Sequence, residues 1–246
     1  MSNTDPFAAR QNPYASTAVP AAFADESARA GFLRRTYMHL AGAVLALIAL
    51  ETVIFTMVPD QTMQNLVLRM GGMGWLLVLG AYMGVSWLAR SWAAGSASKG
   101  MQYAGLGLYV VAEAVILLPL LYVSMRFDPQ LPMVAGIITA LTFGCLTAFV
   151  FMTNVDLSSW GKYLAIAGFA AFAAIAASLI VGFSLGIFFC GAMVALACGY
   201  IMYDTSNMIH HYNTDQHVAA SLSLFASVVL LFWYVLRIAM MFAGDE

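Results

Sequence analysis

Charge is nearly missing from this chain. Its 246 residues include 10 Lys and Arg and 12 Asp and Glu, or 9% charged, where a soluble domain has about 25%. With 62% hydrophobic residues, that shortage excludes a soluble fold, because a domain of this length cannot hide so much apolar surface. The net charge of −2 leaves no basic surface for nucleic acid. Cysteine is scarce too: Cys145, Cys190 and Cys198 all lie inside apolar runs. This excludes a disulfide framework and a zinc cluster and predicts small buried hydrophobes. There is no phosphate loop, no HExxH and no nucleophile–base arrangement, so neither an enzyme nor a cofactor is expected. No cleavable signal peptide precedes the first apolar run, which starts near Tyr37 and is expected to act as an uncleaved signal.

Long apolar runs are what the chain does have. Seven are readable, at about 36–58, 70–90, 101–124, 131–153, 162–181, 184–207 and 217–242. Most match the roughly 20 residues a helix needs to cross a ~30 Å hydrocarbon core. Polar or helix-breaking residues bound them, among them Pro59–Asp60, Arg90–Ser91, Asp128–Pro129 and Asn154–Asp156. Unpaired backbone groups are not tolerated in lipid, so these runs predict helices. The alternation and regular turns of a β-barrel are missing. The expected fold is all-α, a polytopic seven-helix transmembrane domain over 32–243. Residues 1–31, with Pro6, Pro13 and Pro20 and no apolar period, are expected to form a disordered cytoplasmic tail.

The basic residues predict orientation. With the N-terminus inside, Arg10, Arg29, Arg34, Arg35, Arg90, Lys99 and Lys162 are cytoplasmic, against Arg69 and Arg126 outside, seven to two. Seven crossings put the C-terminus outside; a re-entrant last segment would return it to the cytoplasm. Gly80 with Gly84, Gly182 with Gly186 and the alanine-rich stretch Ala165–Ala177 read as close-packing faces, and Gly182–Gly186, which alone parts the fifth and sixth runs, also implies a very tight turn. The short, charge-poor tail and the lack of sorting signals point to a bacterial inner membrane.

Ionisable residues inside these runs are costly, about 2.5–3.5 kcal/mol at a helix centre, and usually face the bundle interior or a water path. Glu113 lies close to mid-membrane, where a carboxyl pairs, is hydrated or carries a proton. Its two readings are a hydrogen bond to a neighbouring helix and a place on an ion route. Glu51, on the first helix, either snorkels or joins that route. Arg237, near the far end of the last helix, fits snorkelling or a salt bridge better. Asp204 closes the sixth run among Tyr203, Thr205, Ser206 and Asn207, as a solvated interfacial carboxylate or a functional one. It is also the one strong metal candidate. His210, His211 and His217 read as solvated loop residues, since that loop holds no Cys and is a poor zinc cage.

One stretch is more specific. G-Y-I-M-Y-D-T-S at Gly199–Ser206, I-H at Ile209–His210, A-x-L-S-L-F at Ala220–Phe225 and L-R-I at Leu236–Ile238 resemble the end of the Bax inhibitor-1 family, the transmembrane Bax-inhibitor-motif proteins. F-L-R-R-T-Y-M-H-L at Phe32–Leu40 and the stretch Thr147–Leu164 are similar to further parts of it, as is A-E-A around Glu113. The resemblance covers about residues 30 to 242. It implies a seven-helix membrane protein, here a bacterial member, whose last helix is surrounded by the other six. It also implies a pH-sensitive calcium leak sensed by two aspartates. The first corresponds to Asp204. The second falls on Ser227, and a family asparagine nearby falls on Leu230. Two carboxylates in contact share a proton because both cannot ionise together; Asp204 facing Ser227 lacks that coupling. The serine hydroxyl can still hydrogen-bond Asp204.

The expected function is a calcium or cation leak with an altered pH gate. Its candidate path and gate residues are Glu51, Glu113, Asp204, Ser227 and Arg237, and its partners are the lipid bilayer and calcium ions. The alternative is a non-conducting protein that modulates other membrane proteins, such as a membrane protease or a stress-response complex.

Overall fold

The computed structural model describes residues 19–69, 72–94 and 98–244. Among them, eight α-helices and one 3-10 turn, Ser158–Trp160, carry the fold: α1 (Glu26–Met57), α2 (Asp60–Arg69), α3 (Gly72–Ala94), α4 (Lys99–Phe127), α5 (Leu131–Thr153), α6 (Gly161–Val181), α7 (Ile187–His210) and α8 (His217–Ala243). Six of these, α1, α4, α5, α6, α7 and α8, are long and apolar enough to cross a membrane. Each of the seven apolar runs falls on one long helix. The additional element is α2, which occupies the polar gap after Pro59. Its Met63 is buried against Leu118 and Tyr122 of α4, and its Asp60 pairs with Arg126.

Breaks between helices follow backbone chemistry. Asn154 ends α5 in the left-handed region (φ 49°) and Gly182 ends α6 there (φ 87°), a conformation that favours Gly and Asn at helix C-termini. Gly182 and Gly186 therefore form the tight α6–α7 turn and are not a packing face. Nor are Gly80 and Gly84, where an added Cβ would meet nothing within 4 Å. The close approaches are elsewhere. A Cβ on Gly105 would lie 2.6 Å from the Ala89 carbonyl oxygen, and one on Gly199 would lie 2.9 Å from Leu164. The alanine-rich α6 keeps only Leu164 buried and packs on α3 and α7.

The core is α8. It packs against α1, α3, α4, α5 and α7 and buries Leu222, Leu224, Phe225, Leu231 and Leu236 almost completely. Its 27 residues rise about 40 Å as one continuous helix.

At the N-terminal end, order starts before residue 32. Helix α1 begins at Glu26. Just ahead of it, Pro20 bridges to Asn213, and the Ala21 amide donates to the Tyr212 carbonyl at 2.9 Å. Backbone pairing to the α7–α8 loop fixes a stretch whose own sequence has no helical period. The rest of the expected tail, residues 1–18, lies outside the described residues.

Candidate functional site: a polar chain in an intramembrane cavity

A cavity of about 1040 Å³ lies among α3, α4, α6, α7 and α8. Most of its wall is apolar, from Leu79, Phe172, Leu196, Leu230 and Trp233, and a few polar side chains converge on it. Helical spacing explains the convergence. Tyr109 and Glu113 on α4, and Tyr200 and Asp204 on α7, are each four residues apart and so share a face.

The polar groups form a chain. The Tyr82 hydroxyl, from α3, donates to Glu113 Oε1 at 2.5 Å. Tyr82 and Tyr109 hydroxyls are 3.1 Å apart. Arg90 Nη2 donates to the Tyr109 hydroxyl at 3.4 Å, and its guanidinium sits 5.4 Å from the Tyr109 ring centroid. The same guanidinium attracts Asp204. Asp204 Oδ2 accepts the Ser227 hydroxyl at 2.5 Å, joining α7 to α8. One turn of α8 nearer the loop, Ser223 and Tyr212 hydroxyls meet at 3.1 Å. Two contacts between side chains thus tie the end of α7 and its loop to α8 at this end of the cavity.

Of the residues singled out in the sequence, Asp204 and Ser227 are in contact, and Glu113 and Arg237 line the same cavity. Glu51 does not. It is buried on α1 at 7% exposure, neither of its carboxyl oxygens has a hydrogen-bond partner among the described residues, and it is not part of the cavity wall. The polar chain also uses residues not singled out. Tyr82 and Tyr109 lie inside apolar runs, and Arg90 read only as an orientation charge at a helix end. The legible signal was the four-residue spacing of Tyr109 and Glu113.

The loop histidines separate. His211 pairs with Asp156 at 3.4 Å, and His210 Nδ1 lies 2.9 Å from the Ser206 carbonyl. His217 is not a solvated loop residue: it is buried at the start of α8, with its ring 5.0 Å from that of His39. Asp156, in the α5–α6 connection, is pulled down to about 2, first by the Ser158 amide and hydroxyl and then by His211. No group of three metal-ligating side chains occurs among the described residues. Calcium takes six to eight oxygens; around Asp204 the side-chain oxygen within hydrogen-bond distance is the Ser227 hydroxyl. Of the cysteines, Cys190 is buried as expected but Cys145 is exposed on α5.

Fold and cavity together define a multi-pass α-helical membrane protein with carboxylates and arginines gathered inside its helix bundle. The family described as "Inhibitor of apoptosis-promoting Bax1" matches residues 29–244, and the chain belongs to it. Among curated relatives, it is similar to Bax inhibitor 1 of Schizosaccharomyces pombe, 30% identical over 125 residues, covering 49% of this chain and 46% of that one. It is similar to the Golgi anti-apoptotic protein of vaccinia virus (strain Lister), 30% identical over 121 residues, 46% of this chain and 48% of that one. It is also similar to Protein lifeguard 4 of Mus musculus, 28% identical over 119 residues, 45% and 47% of the two chains. The matched stretch spans about half the length of these relatives.

Proposed function

We propose that this protein is a membrane leak pathway for calcium or a similar cation, with seven membrane crossings, α3 being the seventh. In this reading the N-terminus is cytoplasmic and the membrane is a bacterial inner membrane, as the distribution of basic residues and the lack of sorting signals suggest. One observation carries the reading: Glu113 and Asp204, on different helices, line a single cavity. Intramembrane carboxylates so arranged are the usual lining of a cation route. The gate is the Asp204–Ser227 contact, backed by Tyr212–Ser223. Opening requires α7 and α8 to part there. Glu113 supplies the mid-membrane carboxylate, oriented by Tyr82. With serine in the second position, the gate lacks the proton-sharing pair of acids that would make it respond steeply to pH.

Calcium flux into proteoliposomes, on either side of neutral pH, tests this. Wild type should conduct with little pH dependence. Glu113→Gln should lower flux toward that of empty liposomes, and Ser227→Asp should add pH dependence. Flux at the empty-liposome level for every variant, with folded protein, overturns the reading.

A specific observation favours the second reading, a non-conducting protein that modulates other membrane proteins. Arg90 and Arg237 line the same cavity as the two acids, so a cation entering it meets two positive charges. The flux result separates the two readings.

A further inference from the structure

A second cavity, of about 560 Å³, opens on the outer surface between α1 and α4. Met38, His39, Gly42 and Ala46 line it from α1, with Tyr103 and Gly107 opposite on α4. The two helices run in the same direction here. The α1 lining extends from Met38 to Leu50, about 18 Å at 1.5 Å per residue, close to the ~15 Å depth of one leaflet. Its floor is open: a Cβ added to Gly42 or Gly107 would meet nothing within 4 Å. By contrast, Gly105, two residues from Gly107, is required by contact with α3. Packing within the protein thus does not account for the groove.

Its loop-side mouth is positive. His39 Nε2 lies 3.2 Å from the Tyr103 hydroxyl at that end, with the two rings stacked at 5.4 Å. One turn further out, about 6 Å, come Arg35 and Lys99. Both are exposed, as is Arg34. Arg35 Nη2 donates to the Thr214 carbonyl at 3.4 Å and Lys99 Nζ to the Asp215 carbonyl at 3.3 Å. These bonds hold the two side chains at the mouth yet leave several N–H donors of each unspent. Among the described residues, neither they nor Arg34 form an ion pair with a carboxylate. Near them, Arg35, Lys99 and His39 all act on His217, with Asp215 as the acid beside it.

We propose that this groove holds one anionic glycerophospholipid. An acyl chain lies along the Gly42 and Gly107 floor, and the headgroup phosphate takes the free donors of Arg35 and Lys99. The match is one of charge and depth. The groove is apolar over about one leaflet, and its polar end carries cations that, among the described residues, pair with no carboxylate, at the level where headgroups sit. Each Lys or Arg near an anionic surface contributes roughly a five-fold preference. A zwitterionic lipid, which adds a cation of its own, gains less. This assignment is independent of whether the central cavity conducts.

Native mass spectrometry of the full-length protein tests it. The protein is stripped of lipid in detergent, then reloaded with an equimolar mixture of phosphatidylglycerol and phosphatidylcholine of identical acyl chains. The expected result is one retained phosphatidylglycerol per chain. Arg35→Gln with Lys99→Gln should lower the preference for the anionic lipid by roughly 25-fold, about five-fold for each cation removed. Gly42→Leu with Gly107→Leu, which fills the floor, should remove retention of both lipids. The charge variants are surface changes, so they decide the matter even if the filled groove fails to fold. No retained lipid, equal retention of the two lipids by wild type, or a preference unchanged in the charge variants overturns the proposal. So does a wild-type dimer that the filled groove converts to monomer, because the groove would then be a helix-docking face.

Discussion

Asp204 and Ser227 are 23 residues apart in sequence and share a hydrogen bond of 2.5 Å. The resemblance to the family's last helix, aligned back from Leu236–Ile238, was enough to find the serine. The partners of Glu113 were not legible in that way. Tyr82 reaches it from another helix, and no local period reports a contact between helices. Replacing Tyr82 by Phe removes the donor and leaves a buried carboxyl oxygen short of a partner, at a cost of about 1 kcal/mol. Unfolding in mixed micelles should register that loss, and a Tyr82→Phe protein as stable as wild type would refute the contact. Asp156 behaves differently. Its carboxyl is held at about 2 by Ser158 and then His211. A depressed acid contributes stability that is present above its unfolded value of ~3.9 and is lost as pH falls toward 2. Asp156 thus stays ionised throughout the neutral range. Asp156→Asn should leave any pH dependence of flux near neutrality unaltered; a shifted profile would make Asp156 a sensor.

At the scale of elements, apolar runs marked every long helix, because a lipid-facing surface requires apolar residues whatever packs behind it. They did not reveal which glycines matter. A GxxxG pattern has the same appearance whether it faces a helix or lipid, and Gly80 and Gly84 have open space above them. Gly105, part of no such pattern, lets α4 approach the α3 backbone. Gly105→Ala should destabilise the protein by about 1–3 kcal/mol through overpacking. Gly80→Ala and Gly84→Ala should stay within about 0.5 kcal/mol of wild type. Equal losses at all three positions, read from thermal unfolding in detergent, would contradict the helix pairing. Helix α2 escaped notice because its 10 residues are too few to span. Its apolar positions, Met63, Leu66 and Val67, nonetheless follow helical spacing. Arg126 holds the Asp60 carboxyl below the usual carboxylate range and fastens α2 to the end of α4.

Across the whole molecule, one central helix carries both the packing core and part of the polar chain. α8 contributes Phe225, Leu231 and Leu236 to the buried core, and Ser223, Ser227 and Arg237 to the cavity. In the proposed leak, parting the Asp204–Ser227 contact shifts α8 against α7. The short segment before α1 is tied to the same place, through the backbone of the α7–α8 loop at Tyr212 and Thr214. Its composition could not announce this, since the bonds come from backbone groups that every residue has. The central claim is that one cavity, lined by Glu113 and Asp204 but not by Glu51, is the route. The direct test is calcium flux in proteoliposomes carrying Glu113→Gln or Glu51→Gln at matched protein content. The account predicts that Glu113→Gln suppresses flux while Glu51→Gln leaves it close to wild type. Flux lost with Glu51→Gln and kept with Glu113→Gln would place the route on the other side of α1 and contradict the account.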